Sequence, residues 1–403
     1  MKRYKTKSFK LLISFFGFIM LFNSLAYAGF DDWLQDFKQQ ALQQGISQAT
    51  LDNTLSEVQF MPKVIAQDTS QPEFVVPFSV YVQQRVTPYS ILKGQKLIRQ
   101  HQALLQKIEK KYGVPPSILV ALWGMETGYG RDKGNIYIPS ALATLAYDGR
   151  RRTFFADQLM AALRLVQAGN IPTVALRGSW AGGMGHMQFI PSTLLEYGVD
   201  ADADNHVDVW QSIPDAMTTA ANYLESVDWI PNEPAAIEVI LPHNFNWQDA
   251  QLSLRQPVEE WVATGVVTAN GKPFPPVADD AAIILPQGWQ GAAFMIFSNF
   301  DVIMEWNKSV NYALSVVQLA SQYTDHTGIL GGKNAQENAL TFKQMIDLQA
   351  CLNAHGYDMG NVDGFPGVKT QAAIRIYQAA NGLPQDGYAN TSLLARLQNI
   401  KGF

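Results

Sequence analysis

The sequence predicts a mainly α-helical fold with a small strand-containing insert and a short three-helix unit near its C-terminal end. Three observations predict it. From Phe30 to about Ser226, apolar residues recur at three- and four-residue spacing. Between Glu233 and Leu285 that period gives way to short β-branched runs, punctuated by Pro273, Pro275 and Pro276. After a glycine-rich, polar stretch from His326 to Asn338, helical periodicity returns in a compact tail of about sixty residues. The 403 residues, 47% hydrophobic and 16% charged, suffice for two or three domains with full cores.

The first 28 residues stand apart. Lys2, Arg3, Lys5, Lys7 and Lys10 form a basic head, Leu11 to Leu25 is an apolar run short for a membrane span, and Ala26-Tyr27-Ala28 is a small-x-small cleavage site. The pattern predicts a signal peptide cleaved after Ala28 and export to the periplasm; an uncleaved N-terminal membrane anchor is the alternative. No Cys follows the apolar run, which argues against a lipid-modified N-terminus. Cleavage removes five Lys/Arg and no acid, so the formal charge moves from −5 to about −10. Such a chain lacks the broad basic footprint of a nucleic-acid binder. Cys351 is the only cysteine, which excludes an intramolecular disulfide and leaves stability to core packing. Its surroundings read as the apolar face of a helix, so it is expected to be a small buried hydrophobe.

Helices are predicted over Trp33–Gln44, Gln95–Tyr112, Phe154–Gln167 and Pro214–Ser226. Another opens at Pro115 and Pro116, where first-turn N–H groups lack partners anyway, and stops at Gly128 and Gly130. Ala236–Leu241 and Ala281–Leu285 read as strands, and Val302 to Gln322 as a helix. In the tail, helices are expected at Phe342–His355, Lys369–Asn381 and Thr391–Leu397, separated by glycine turns. The predicted domains are 1–28 (signal), 29–325 (the large helical domain), 326–339 (linker) and 340–400 (the small module).

Three constellations carry chemistry. Glu126 shares a helix face with Leu119, Leu122 and Trp123, just before a glycine-rich turn. A lone carboxylate so placed is expected to be partly desolvated, which favours its neutral, proton-donating form; a solvated or capping Glu is the alternative. The segment from Ser179 to Thr193 has small residues at 181–183 and 185, letting backbone pass close to another helix or a ligand. Ser179 and Gln188 offer neutral donors and acceptors suited to sugar hydroxyl and acetamido groups. It lacks the Lys-Ser/Thr pair of a phosphate loop. Third, Asp200, Asp202 and Asp204 stand at positions 1, 3 and 5 of an EF-hand-like loop, with the His206 carbonyl at 7 and Asp215 at 16. Asn205 replaces the turn glycine and no Glu stands at 12. Calcium binding and a self-ordered Asp-rich turn both fit that pattern.

Met125-Glu126-Thr127-Gly128-Tyr129-Gly130 and Ala181-Gly182-Gly183-Met184-Gly185-His186-Met187-Gln188-Phe189-Ile190-Pro191-Ser192-Thr193 resemble the two signature segments of the lytic murein transglycosylase B family. Ala220-Ala221-Asn222-Tyr223-Leu224 and Trp306-Asn307-Lys308-Ser309 are also similar to that family. The tail, from Gly356-Tyr357 through Asn381-Gly382-Leu383-Pro384, resembles the peptidoglycan-binding domain often appended to it. The resemblance spans roughly Phe30 to Leu397.

It implies a lysozyme-like catalytic domain that cleaves the MurNAc–GlcNAc β-1,4 bond of peptidoglycan without water. Glu126 would be the single catalytic acid, then the base that lets the MurNAc C6 hydroxyl close on C1 as a 1,6-anhydro end. Ser179 and Gln188 would hold the sugar, and Tyr223 and Asn307 would line the cleft. Trp306 stands where members often carry Tyr; it keeps a stacking plane and lacks the hydroxyl that a hydrogen bond there would use. His186 departs from the usual residue and is expected in the cleft wall, without a catalytic role. Some members bind calcium in the Asp loop, so Asp200, Asp202, Asp204, His206 and Asp215 are candidate ligands of a structural ion; the chemistry itself needs no cofactor. Glycan strands of peptidoglycan are the implied partner, with other cell-wall enzymes beside them and no nucleic acid. The cluster Arg150-Arg151-Arg152 would meet stem-peptide carboxylates or remain a solvated face. A hydrolytic muramidase is the alternative enzyme, needing a second acid such as Asp132 or Asp148; a non-catalytic wall-binding scaffold is the alternative outside enzymes.

Overall fold

The computed structural model describes residues 29–69, 76–277, 279–326, 328–332 and 340–399. The signal-peptide reading of residues 1–28 and most of the 326–339 linker therefore lie outside the described residues.

The fold is mainly helical. In chain order, α1 (29–43) is followed by α2 (Gln48–Leu55), α3 (Pro62–Thr69), α4 (Phe78–Arg85), α5 (Pro88–Gln100), α6 (Gln102–Tyr112) and α7 (Pro116–Thr127). Then come β1 (Ile136–Tyr137), α8 (Ile138–Asp148), α9 (Arg152–Gln167), β2 (Arg177–Gly178), α10 (Pro191–Tyr197) and α11 (Ile213–Ser226). The described residues divide into two compact units, one from the stretches 29–69 and 130–219, the other from residues of the stretches 76–129 and 220–399.

In the first unit α8 and α9 pack together, with α3 on α8 and both α2 and α10 on α9. Phe30, Phe60 and Tyr147 form an aromatic cluster there, with centroids 5.3 to 5.6 Å apart, Tyr147 edge-on to both phenylalanines and those two tilted at 41°. Such pairs add to the stabilisation from burial alone. Arg150 and Arg151 both pair with buried Asp68, a carboxylate that needs cationic partners. Their side chains stay 43% exposed, so the cluster is a solvated face that also holds this one acid.

In the second unit the 95–112 stretch is two helices, not one. Thr87 and Ser90 form a reciprocal capping box and Pro88 opens α5. His101, at φ −107° and ψ 20°, ends α5 and begins α6. The apolar stripe of Leu97, Leu105 and Ile108 continues across the bend, which periodicity alone does not register. After α11 in chain order comes the insert: β3 (Ala236–Ile240), α12 (Val258–Ala263), β4 (Val267–Thr268), β5 (Ala282–Ile284) and β6 (Ala293–Ile296). All strand pairs are antiparallel, in the order β4-β3-β6-β5, and Met295 pairs with both Ile237 and Ile283. Its core gathers Val239, Phe245, Trp261, Ile283, Met295 and Phe297. β6 was not foreseen, because all four of its residues are buried and its sequence has no alternation to read.

The stretch predicted as one helix from Val302 is likewise two, α13 (Ser298–Trp306) and α14 (Val310–Thr324). Asn307 is extended (φ −146°, ψ 119°), and the Ser309 hydroxyl caps α14 by accepting the Tyr312 N–H. In the tail, α15 (Phe342–Ala354), α16 (Val368–Ala380) and α17 (Thr391–Asn399) enclose Leu348, Leu352, Ile374, Tyr377 and Leu394. Cys351 packs against this core but is only half-buried, a correction to the expected full burial. Buried Gln349 receives the N–H groups of Asp363 and Gly364 and donates to the Phe365 carbonyl, fixing the first glycine turn.

Candidate active site

Glu126 owes its position to the way α7 begins and ends. The helix interior is apolar on every side, and Leu119, Leu122 and Trp123 are 0–2% exposed. Gly128 (φ 55°) and Tyr129 (φ 65°) then leave the helix in two successive left-handed residues, donating to the Gly124 and Trp123 carbonyls. Gly128 is suited to this; Tyr129 is not, and a positive φ on an aromatic residue must be held by its surroundings. Here the holding groups are visible. The Tyr129 hydroxyl donates to the Ser90 carbonyl at 2.5 Å and lies 2.7 Å from that of Tyr323. Because a carbonyl only accepts, Tyr323 is the donor of that second bond. Burial pushes Tyr129 up to about 12 and Tyr323 higher still, so both phenols stay protonated. A Cβ at Gly124 would stand 2.8 Å from the Tyr129 ring, and one at Gly94 would strike Tyr323. These glycines make the room in which the pair locks the end of α7.

Glu126 itself is half-buried. Its Oε1 accepts the Trp306 Nε1–H at 3.0 Å and the Tyr312 hydroxyl at 2.5 Å. The break at Asn307–Ser309 allows both contacts, since residues six apart on a continuous helix point in different directions. Tyr223, on α11, places its ring 5.6 Å from that of Trp306 at 66°. Thus Glu126, Tyr223 and Trp306 come together within one unit. Trp306 lacks a hydroxyl, but its indole N–H supplies a hydrogen bond at this position. Asn307 adjoins the group, its side-chain oxygen accepting the Ser309 N–H. Tyr312 was missed by sequence reasoning. The signal that would have found it is the Asn-Lys-Ser stretch, a helix start inside an apparently continuous apolar pattern.

Ser179 and Gln188 lie in the other unit, both half-buried. The Ser179 hydroxyl accepts the Gly183 N–H at 2.9 Å, and Gln188 Nε2 donates to the Gly185 and Lys133 carbonyls. A Cβ at Gly183 would stand 2.8 Å from both the Ser179 and Gln188 side-chain oxygens, and one at Gly185 would meet the Val209 carbonyl at 2.3 Å. The small residues of this segment therefore admit close approach by the chain itself. Gln188 is another left-handed residue (φ 52°). His186 is 8% exposed; burial and the Lys133 charge, against a smaller pull from Asp208, bring it down to about 4. It is neutral at ordinary pH. Asp132 and Asp148, the candidate second acids, are exposed residues of this unit.

In the Asp loop, Asp200, Asp202 and Asp204 each bring one carboxylate oxygen to within 4.8 Å of the others. Asn205 adopts φ 72°, as its turn position requires. Asp200 also accepts the N–H groups of Ala203, Asp204 and Asn205. Asp215, 1% exposed, accepts the Ala201 and Asp208 N–H groups with its two oxygens and clamps the loop from α11. The His206 side chain is exposed and outside the carboxylate cluster. The donor set is all-oxygen, which suits a hard cation such as calcium.

Comparison with known proteins bears on both segments. The transglycosylase SLT domain model matches residues 29–321, and a peptidoglycan binding domain model matches residues 343–397. Membrane-bound lytic murein transglycosylase B of Escherichia coli (strain K12) is 29% identical over 294 residues, covering 70% of this chain and 77% of that protein. The crystal structure of SltB3 from Pseudomonas aeruginosa in complex with NAG-anhNAM-pentapeptide is similar at TM-score 0.88 and 41% identity, over 92% of this chain and 99% of that one. Escherichia coli Slt35 in complex with calcium is similar at TM-score 0.63 and 27% identity, over 72% and 92% of the two chains.

Proposed function

The chain belongs to the transglycosylase SLT family and is a lytic transglycosylase of peptidoglycan, and on that premise we propose that Glu126 is its acid and then its base. The observation that carries this reading is the pair of donors on Glu126 Oε1. Trp306 Nε1–H only donates, and the Tyr312 hydroxyl fills the other acceptor direction, so the transferable proton resides on Oε2. From there it passes to the glycosidic oxygen as the bond to MurNAc C1 breaks. The resulting carboxylate is stabilised by the two donors already aimed at it. It then takes the proton of the MurNAc C6 hydroxyl, whose oxygen closes on C1. One carboxylate serves both steps because the nucleophile belongs to the substrate; a paired-carboxylate hydrolase must instead activate water or form a covalent intermediate.

Tyr223 and Trp306 offer the aromatic wall beside this group, and Asn307, Ser179 and Gln188 offer amide and hydroxyl groups to the sugars. The module at 340–400 holds the enzyme on its insoluble substrate and raises its local concentration. The Asp loop is proposed to hold a structural calcium through Asp200, Asp202 and Asp204, with the His206 carbonyl beside them and Asp215 fixing the loop from behind. No catalytic step passes through it. Export with cleavage after Ala28 is the proposed route to the wall; a mature chain beginning at Gly29 supports it, and one retaining Met1 identifies an anchored form. Glu126→Gln tests the chemistry: turnover of sacculi should vanish while wall binding persists, and an active variant would overturn the assignment.

A further inference from the structure

The segment from Val76 to Tyr112 carries Arg85, Lys93, Lys96, Arg99, Lys107, Lys110 and Lys111 against a single acid, Glu109, in a chain whose formal charge is −5. This is a local reversal of sign, and α5 concentrates it. The helix buries Ser90, Gly94 and Leu97 against α7 and α14. Its opposite face presents Tyr89 (58% exposed), Leu92 (67% exposed), Lys93, Lys96 and Arg99, spaced so that they share one side. Arg85, at the end of α4, lies exposed and 5.2 Å from the Tyr81 ring. None of these four cations makes an ion pair among the described residues, in contrast to Arg150 and Arg151. The helices beneath offset little of the charge: α14 has no ionisable acid or base other than tyrosine, and α7 has only Glu126.

We propose that this face of α5 docks the enzyme on an anionic phospholipid bilayer, with Leu92 and Tyr89 entering the interface and Arg85, Lys93, Lys96 and Arg99 meeting the headgroups. Stem-peptide carboxylates of the wall share the negative charge, but they offer nothing for two large apolar side chains held out in water. An interfacial surface needs both parts, an apolar centre and a basic surround. No helix among the described residues is long and apolar enough to cross a membrane, so docking of this kind is peripheral. Each cation near such a surface is worth about fivefold in partitioning, and that contribution falls with ionic strength.

The test is flotation of the full chain with vesicles of equimolar phosphatidylglycerol and phosphatidylcholine, against pure phosphatidylcholine. Every variant is made in the same chain, so any contribution of residues 1–28 cancels. The unsubstituted chain should prefer the anionic vesicles and lose that preference in high salt. K93E/K96E should lower anionic binding by about 25-fold or more. Leu92→Ser should lower the salt-resistant remainder by about tenfold. Cleavage of soluble glycan strands should be unchanged in all of them, which controls for folding. Equal binding to both vesicle types, or variants that bind as well as the parent, would overturn the proposal. So would loss of sacculus binding with vesicle binding intact, which would assign the face to the wall.

Discussion

The indole N–H of Trp306 meets the Glu126 carboxylate at 3.0 Å, on the same oxygen that receives the Tyr312 hydroxyl. The two donors come from either side of the break between α13 and α14. They orient a side chain that sits on the last turn of α7, where the helix itself offers no further constraint.

Replacing Trp306 by Phe keeps an aromatic plane beside Tyr223 and removes one donor. A hydrogen bond to an ionised group contributes about 1.5–3 kcal/mol, so kcat should fall on the order of ten- to a hundredfold. KM should change little. Steady-state kinetics on soluble glycan strands checks this; a rise in KM with kcat intact would reduce Trp306 to a wall of the cleft.

His186 predicts a dependence of stability on acid. Its folded value of about 4 lies below the usual 6.5, so the folded state favours the neutral ring. The corresponding stability is fully present above about pH 6.5 and is lost as pH falls through about 4, on the order of 3 kcal/mol in all. Urea midpoints measured across that range should drop less steeply in His186→Gln than in the parent. Identical slopes would remove His186 from the account of acid sensitivity.

The Asp loop predicts a response to calcium. At a hundredfold excess over Kd, binding adds about 2.7 kcal/mol to folded-state stability, so the melting temperature should rise with calcium and fall with chelator. Asp202→Asn with Asp204→Asn should abolish the shift while leaving Asp200 and Asp215 to order the backbone. An unchanged melting temperature in the parent would leave the loop as a self-sufficient turn.

The sequence was most legible where one residue type has one physical use. Pro115 and Pro116 mark the start of α7 and Gly128 its end, so the sequence alone places Glu126 at a helix terminus. Ala236–Leu241 and Ala281–Leu285 were visible as β-branched runs; β6 was not, because Ala293–Ile296 has a single β-branched residue and no alternation. Two helices were merged with their neighbours, since an apolar stripe can continue through a bend such as His101 or Asn307. The second merger hid Tyr312, whose hydroxyl donates to Glu126. The Tyr129–Tyr323 pair was equally hidden: 194 residues separate the two, and nothing local marks either as the other's partner.

The most direct test is the chemical nature of the new ends when sacculi are digested in heavy-oxygen water. A single proton-transferring carboxylate with a self-attacking sugar predicts 1,6-anhydromuramyl ends that carry no solvent oxygen, absent when Glu126→Gln is used. Reducing muramyl ends bearing the heavy label would contradict it, since they require water as the nucleophile.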